Sequence, residues 1–498
     1  MGKKLKILKD KWGKLIIIGI CFGVITHGMI LFNDLPNGDG LIFNYYTFQR
    51  TVILGRWLLG IACLVSGPFT IPVVNGIISI ILAVMSAILI IDLFEVNQKV
   101  NQIIIVGIMV SFPSLASGFL YMFTMDGYMI SVFLSVFSIW ILHNAKKKML
   151  GYVGSIVCIA CSMGIYQAYL SITMTICIFN IIFLILKDNK KIIRTIAEYL
   201  VCGMLGVILY FVILKIVLIL SGLKLEAYQG IENAGAPLSL GQLLIRIKII
   251  YAQSIITIGT KIFINKLFVL LFIAQWIIII YFMVRKVNVF KLLKIIACFG
   301  VLPICLLPIY LTSTDVSYYL LMKYSWALIF IYVIVMMEYF NLSKITNRII
   351  IIFSCIIIYG FILGNNSMYE YASLRHDRTL MLLNRIESCL ESGKYDTSKK
   401  IGIFYEGIED EKYQCVTNVY PYAQRKYIDV RDYNAEEAMK LFFTSKFSYM
   451  GEQQCKDYEN TKEYQSMKLD NRSFRIFETQ RYIIIKVNAG IEKEETLY

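Results

Sequence analysis

The chain has 498 residues, 58% of them hydrophobic, a mean hydropathy of +0.66 and a formal net charge of +15. Apolar runs of about 18 to 25 residues recur from Leu15 to Leu363; this excludes a soluble globular fold and matches the length that crosses a hydrocarbon core of roughly 30 Å. The charge excess does not indicate nucleic acid. Residues 365–498 hold 20 Lys+Arg against 22 Asp+Glu, so the surplus falls in residues 1–364, where it sits mostly in short connections between apolar runs, the positive-inside pattern.

Lys3, Lys4, Lys6, Lys9, Lys11 and Lys14 place the N-terminus in the cytoplasm. The first apolar run lacks a small-residue cleavage site and reads as a retained helix, about Leu15 to Phe32. It delivers Asn33-Asp34 to the outside, where DLPNGDG has strong turn chemistry. Residues 44–66 are too polar at their start to span and predict an amphipathic helix in the outer interface. Helix 2 is expected at about 69–94 and helix 3 from Ile103 to near Met125, with helix 4 re-entering after Asp126-Gly127. The uncharged stretch from Leu150 to Leu186 suits two helices with a tight outer turn at Gly164-Ile165-Tyr166-Gln167.

Helix 7 is expected to end near Leu220, before the longest outer connection. An amphipathic stretch, 244–258, then precedes helix 8 at about 262–284. Helix 9 contains Pro303 and Pro308, helix 10 covers about 321–340 and helix 11 about 349–363. The expected fold is an all-α polytopic membrane bundle of about eleven transmembrane helices, residues 1–364. It is followed by a small extracytoplasmic α/β domain, residues 365–498, with a helix near 378–390 and strands at 400–405 and 482–487. Nine of the twelve cysteines lie in or beside apolar runs, where Cys acts as a small hydrophobe; Cys389, Cys415 and Cys455 allow at most one disulfide in the tail.

Six acids of the membrane part fall on the cytoplasmic side and six, Asp34, Asp39, Asp126, Glu226, Glu232 and Asp315, on the outer side. Carboxylates held where a loop meets a helix end are partly desolvated, which suits a general base. Asp34, Asp126 and Asp39 are therefore catalytic candidates, against the alternative of ordinary turn residues. Arg56 and its neighbour Trp57 are candidates for a lipid phosphate, since guanidinium binds phosphate through a fork; otherwise they are interface anchors. Tyr166 and Gln167, polar in an otherwise apolar hairpin, are candidates for a sugar pocket. Lys323 starts helix 10 from the outside, against the positive-inside tendency, and is a candidate for an anionic group, with snorkelling as the alternative.

The chain shows no Gly-rich phosphate motif, which leaves ATP-driven transport without support. His27, His143 and His376 do not cluster, and charges in mid-helix are few, which argues against an ion-coupled pump. Four segments in order, Asn33-Asp34, Gly55-Arg56-Trp57-Leu58, Tyr121 to Asp126 and Ser162 to Gln167, resemble the type II Gtr glucosyltransferase family, which modifies bacterial surface polysaccharide such as O-antigen. The resemblance covers roughly residues 15–365. It implies a GT-C type fold and transfer of a hexose, glucose above all, from a polyprenyl-phosphate carrier to a surface glycan on the outer face of the cytoplasmic membrane. It also implies membrane lipids as surroundings, with a sugar-lipid synthase and a flippase as companions. A divalent cation, Mg or Mn, is left open as a cofactor. The sequence departs from the family pattern with Leu35 directly after Asp34 and Lys323 where an arginine is expected. A polysaccharide polymerase or ligase and a lipid-linked glycan flippase are the competing readings; the first favours arginine-rich outer loops, the second a polar path through the bundle.

Overall fold

A computed structural model describes residues 2–42, 47–67, 70–226, 239–258, 262–312, 318–393, 395–396, 398–406, 435–443, 447–470 and 472–488. Among them are 11 helices long and apolar enough to cross a membrane. In chain order these are spans 1 (Trp12–Phe32), 2 (Pro72–Leu93), 3 (Lys99–Phe119), 4 (Met122–Asn144), 5 (Lys148–Ile165), 6 (Gln167–Leu186), 7 (Ile192–Ser221), 8 (Lys266–Lys286), 9 (Val289–Leu306), 10 (Leu320–Tyr339) and 11 (within Lys344–Ser392). The protein is therefore a multi-pass membrane protein with a polytopic helical bundle. Internal packing divides the chain into two units, residues 1–33 with 45–366, and residues 34–44 with 367–498. The segment 34–44 after span 1, read from the sequence with the membrane part, groups with the tail.

Span 3 organises the first unit. Its helix breaks at Phe112 (φ −60°, ψ 134°), and Pro113 opens a second helical piece at Pro113–Phe119. Proline has no N–H and pushes the residue before it out of the helical region, so the last carbonyls of the first piece lose their helical partners. Three side chains from three spans replace them. Tyr324 of span 10 donates to the Met109 carbonyl (2.5 Å), a His27 ring nitrogen of span 1 bonds Val110 (2.8 Å), and Asn365 of span 11 donates to Ser111 (2.7 Å). Lipid supplies no such partners. At its other end, span 3 receives Glu338 of span 10, whose carboxylate accepts from the N–H groups of Asn97 (2.6 Å) and Gln98 (3.1 Å) and from the Asn101 amide (2.8 Å). A carboxylate on a helix N-terminus is favourable for charge as well as hydrogen bonding.

Span 10 is wholly enclosed, with its apolar window 100% buried, whereas spans 7, 8 and 9 are only 17%, 28% and 22% buried. These three spans present their apolar side chains outward.

Three expectations shift. The break at Pro113 ends span 3 at Phe119, so Asp126 lies inside span 4 rather than in the turn before it. The interfacial segment is not one helix: Phe48–Ile53 ends at Gly55 (φ +72°), and Leu59–Ala62 follows with a 3₁₀ turn, Cys63–Val65. The helical patterns at 349–363 and 378–390 belong to one helix, Lys344–Ser392. The second amphipathic stretch forms Leu240–Ile256, opened by a capping box between Ser239 and Gln242.

In the second unit, strands β1 (Lys400–Glu406), β2 (Phe474–Glu478) and β3 (Tyr482–Asn488) form a sheet of order β1-β3-β2. β1 pairs parallel to β3 with Lys400 opposite Tyr482, and β2 pairs antiparallel with Phe474 opposite Val487. The central strand puts Ile483, Ile485 and Val487 on one face and Ile484 with the buried Lys486, which donates to the Met467 carbonyl, on the other. One face packs on Leu382, Leu383, Ile386 and Leu390 of the long helix, on Met439, and on Leu41 of the short helix Gly38–Ile42. The other gathers Phe404, Met450, Tyr458, Tyr464 and Ile484. Cys389 and Cys455 are free thiols, and Cys415 lies outside the described residues.

Candidate active site at one end of the bundle

Successive spans alternate in direction, so the 54–66 segment, the span 5–6 turn, the 308–312 turn and the start of span 10 share one end of the membrane unit. The helix Phe48–Ile53 begins on Thr47, whose hydroxyl accepts from the Arg50 N–H (3.4 Å). It ends in a Schellman motif: the Arg56 N–H bonds the Thr51 carbonyl and the Gly55 N–H bonds that of Val52, both at 2.9 Å. The left-handed φ at position 55 is one that glycine adopts without strain. Arg56 thus leaves the helix at a fixed angle.

Trp57 then packs against span 5 at Gly164, where an added Cβ would lie 2.5 Å from the indole ring, and the Leu58 N–H bonds the Gly164 carbonyl (2.8 Å). Gly164→Ala should therefore lower the melting temperature in detergent. Alanine gains about 0.5–1 kcal/mol over glycine in a helix, but overpacking costs about 1–3 kcal/mol. An unchanged melting temperature would show that the indole moves aside freely.

The Arg56 guanidinium lies over Tyr166, with Cζ 4.8 Å from the ring centroid, and Nη1 donates to the Tyr128 hydroxyl at 3.3 Å. Tyr128 and Tyr166 have ring centroids 4.5 Å apart, and Tyr169 meets Tyr166 edge-on at 5.0 Å. The guanidinium is held against the face of Tyr166, where a cation is attracted by the ring. Gln167, the first residue of span 6, donates its amide to the Leu54 carbonyl and to the Tyr210 hydroxyl, both at 3.1 Å. Arg56, Tyr166, Gln167, Tyr210, Tyr319 and Thr312 supply the polar lining of a cavity of about 140 Å³, whose other walls are apolar, among them Leu54, Met163, Phe211 and Met322. That is close to the roughly 150 Å³ of an engineered cavity that takes one benzene ring.

The structure thus brings Arg56, Tyr166 and Gln167 together on one cavity and sets Trp57 beside it as a wedge. Lys323, predicted to hold an anionic group, is 2% exposed and donates to the Thr257 hydroxyl (3.3 Å), with its Nζ 5.3 Å from the Tyr318 ring centroid. Burial pushes the Tyr318 phenol well above its ordinary pKa, so it stays neutral. Asp126 is fully buried; its Oδ2 accepts from the Ser66 hydroxyl (2.7 Å) and N–H (3.3 Å), while Oδ1 has no hydrogen-bond partner among the described residues. Asp34 is exposed and Asp39 half-buried in the first turn of Gly38–Ile42, both in the second unit. Glu232 and Asp315 lie outside the described residues. No three His, Cys, Asp or Glu side chains among the described residues form a group that would hold a metal ion.

Sequence reasoning missed Tyr128 and Tyr210. Each is a tyrosine inside an apolar span, a full turn or more from its ends, where an interface anchor does not belong.

A family model described as Glucosyl transferase GtrII matches residues 28–363. The chain belongs to this glucosyl transferase family. No curated protein and no solved structure matches it. The GtrII match takes in the Schellman turn that carries Arg56, the Asp126 region and the span 5–6 turn, and stops before residues 367–498. As a GtrII member the chain is a glycosyltransferase, using a sugar donor and an acceptor.

Proposed function

We propose that this glucosyltransferase takes glucose from a polyprenyl-phosphate carrier at the outer face of the bacterial cytoplasmic membrane and passes it to a cell-surface polysaccharide. The observation that carries this reading is the Arg56 guanidinium, poised on an aromatic pair at the wall of a mostly apolar cavity. A fork of donors suits the phosphate, and apolar walls suit the lipid end of such a donor. Lysines and arginines at residues 146–148, 187–194 and 285–294 mark the connections at the opposite end. The positive-inside tendency then puts the cavity outside and the N-terminus inside. A synthase that makes the lipid-linked sugar and a flippase that presents it complete the reading.

Arg56 contacts the donor phosphate, and Tyr166 and Gln167 face the sugar. Trp57 packs beside the cavity on Gly164, and Lys323, buried on Thr257, is outside its lining. Asp34 is retained as the proposed general base from the sequence reading, since Asp126 is sealed and engaged by Ser66. The acceptor hydroxyl oxygen forms a bond to the anomeric carbon while that carbon's bond to the phosphate oxygen breaks. The phosphate leaves with the electron pair, and the hydroxyl proton passes to the carboxylate.

The full-length protein in lipid nanodiscs should consume polyprenyl-phosphate-linked radiolabelled glucose when a host surface polysaccharide is supplied. It should leave a nucleotide-linked glucose untouched. Transfer directly from the nucleotide sugar would overturn the lipid-linked reading.

A further inference from the structure

The geometry points to Tyr210 of span 7 as a positioning residue for the reaction, tethering the backbone that carries Arg56. The inference rests on the reading of Arg56 as the phosphate contact. Where the helix Phe48–Ile53 ends, its last carbonyls have no helical partners, and three successive ones are taken up from three directions. The Ile53 carbonyl accepts from the Glu226 N–H (2.9 Å), that of Leu54 from the Gln167 amide (3.1 Å), and that of Gly55 from the Tyr210 hydroxyl (2.9 Å). The Tyr210 hydroxyl also accepts the second Gln167 N–H (3.1 Å), which closes a ring of bonds around Leu54 and Gly55.

Tyr210 is 1% exposed on a span whose apolar window is only 17% buried, so with Thr195 and Tyr199 it is one of the inward-facing polar groups of a largely outward-facing helix. Its aromatic body packs with Val52, Trp57, Ile159 and Met163. The hydroxyl is therefore separable from the packing, because phenylalanine keeps the body and removes only the bond. Arg56 follows Gly55 directly. A shift of the Gly55 carbonyl moves the Arg56 Cα and swings the guanidinium off Tyr166, and small misplacements of positioning groups have large kinetic effects.

The test is a double-mutant cycle on the full-length protein in nanodiscs, reading donor KM, acceptor KM and kcat. Tyr210→Phe should raise the donor KM by about 5- to 30-fold, the range of one lost buried hydrogen bond, with the acceptor KM unchanged. In the Arg56→Ala background the same change should add less than about twofold, since positioning has nothing left to position. If Tyr210→Phe does not accumulate folded, Tyr210→Met, which also lacks the hydroxyl and can fill the apolar site, enters the same cycle. An unchanged donor KM in folded Tyr210→Phe would overturn the tether. So would an equal effect in both backgrounds while Arg56→Ala is itself impaired. Arg56→Ala with a normal donor KM would instead remove the phosphate reading on which the tether rests.

Discussion

Replacing Arg56 by lysine should raise the donor KM more than it lowers turnover, and replacing it by alanine should lower kcat/KM for the lipid-linked donor by about 10- to 100-fold. Hydrogen bonds to charged groups contribute about 1.5–3 kcal/mol, and each 1.4 kcal/mol is roughly tenfold in rate or affinity. Lysine keeps the charge but loses the planar fork and the stacking on Tyr166, 4.8 Å beneath the guanidinium. Its ammonium also loses the reach to the Tyr128 hydroxyl that holds Nη1 in place. Wild-type donor kinetics in Arg56→Ala would reduce the residue to an anchor at the membrane surface.

The second large effect is expected at Asp34. Asp34→Asn preserves shape and removes basicity, so transfer should fall by about 10²–10⁴-fold, the contribution of general-base catalysis, at unchanged membrane abundance. Asp126→Asn should behave differently. Its carboxylate bonds the Ser66 hydroxyl and N–H within a sealed interior, so the loss should appear in folded yield more than in turnover. Asp39→Asn should cost less transfer than Asp34→Asn, Asp39 being half-buried in the first turn of a five-residue helix. Normal transfer by Asp34→Asn, together with a 10²–10⁴-fold fall in Asp126→Asn at equal abundance, would move the base to Asp126.

The eleven spans were legible because apolar length is a one-dimensional property and the basic connections mark alternate ends. The cavity was legible in part for a related reason. Arg56, Tyr166 and Gln167 are polar residues at the ends of apolar runs, where composition makes them visible. What composition hides is whether a polar group faces a ligand or a backbone carbonyl. Lys323 reads as a cation out of place, yet it sits buried at the kink (φ −94°, ψ 19°) between two short helical turns within Leu320–Trp326, and its ammonium bonds Thr257, 66 residues earlier. Tyr210 and Tyr128 are lost among the 33 tyrosines, and only the third dimension distinguishes them. In the tail, β1 and β3 announce themselves by runs of Ile, Phe and Val, while the edge strand β2, Phe-Arg-Ile-Phe-Glu, alternates with charge and escapes notice.

The break at Pro113 bears on how the protein is made. Met109, Val110 and Ser111 present open carbonyls as soon as span 3 enters the bilayer, and any left unmatched in hydrocarbon costs several kcal/mol. His27 arrives with span 1, already synthesised. Tyr324 and Asn365 emerge from the ribosome more than 200 residues later. Until then span 3 is an incomplete piece, and a chain truncated before span 10 leaves the Met109 and Ser111 carbonyls without these partners. The two ends of the membrane unit are thereby made to complete one another at a single helix turn, so that only the finished chain closes the bundle.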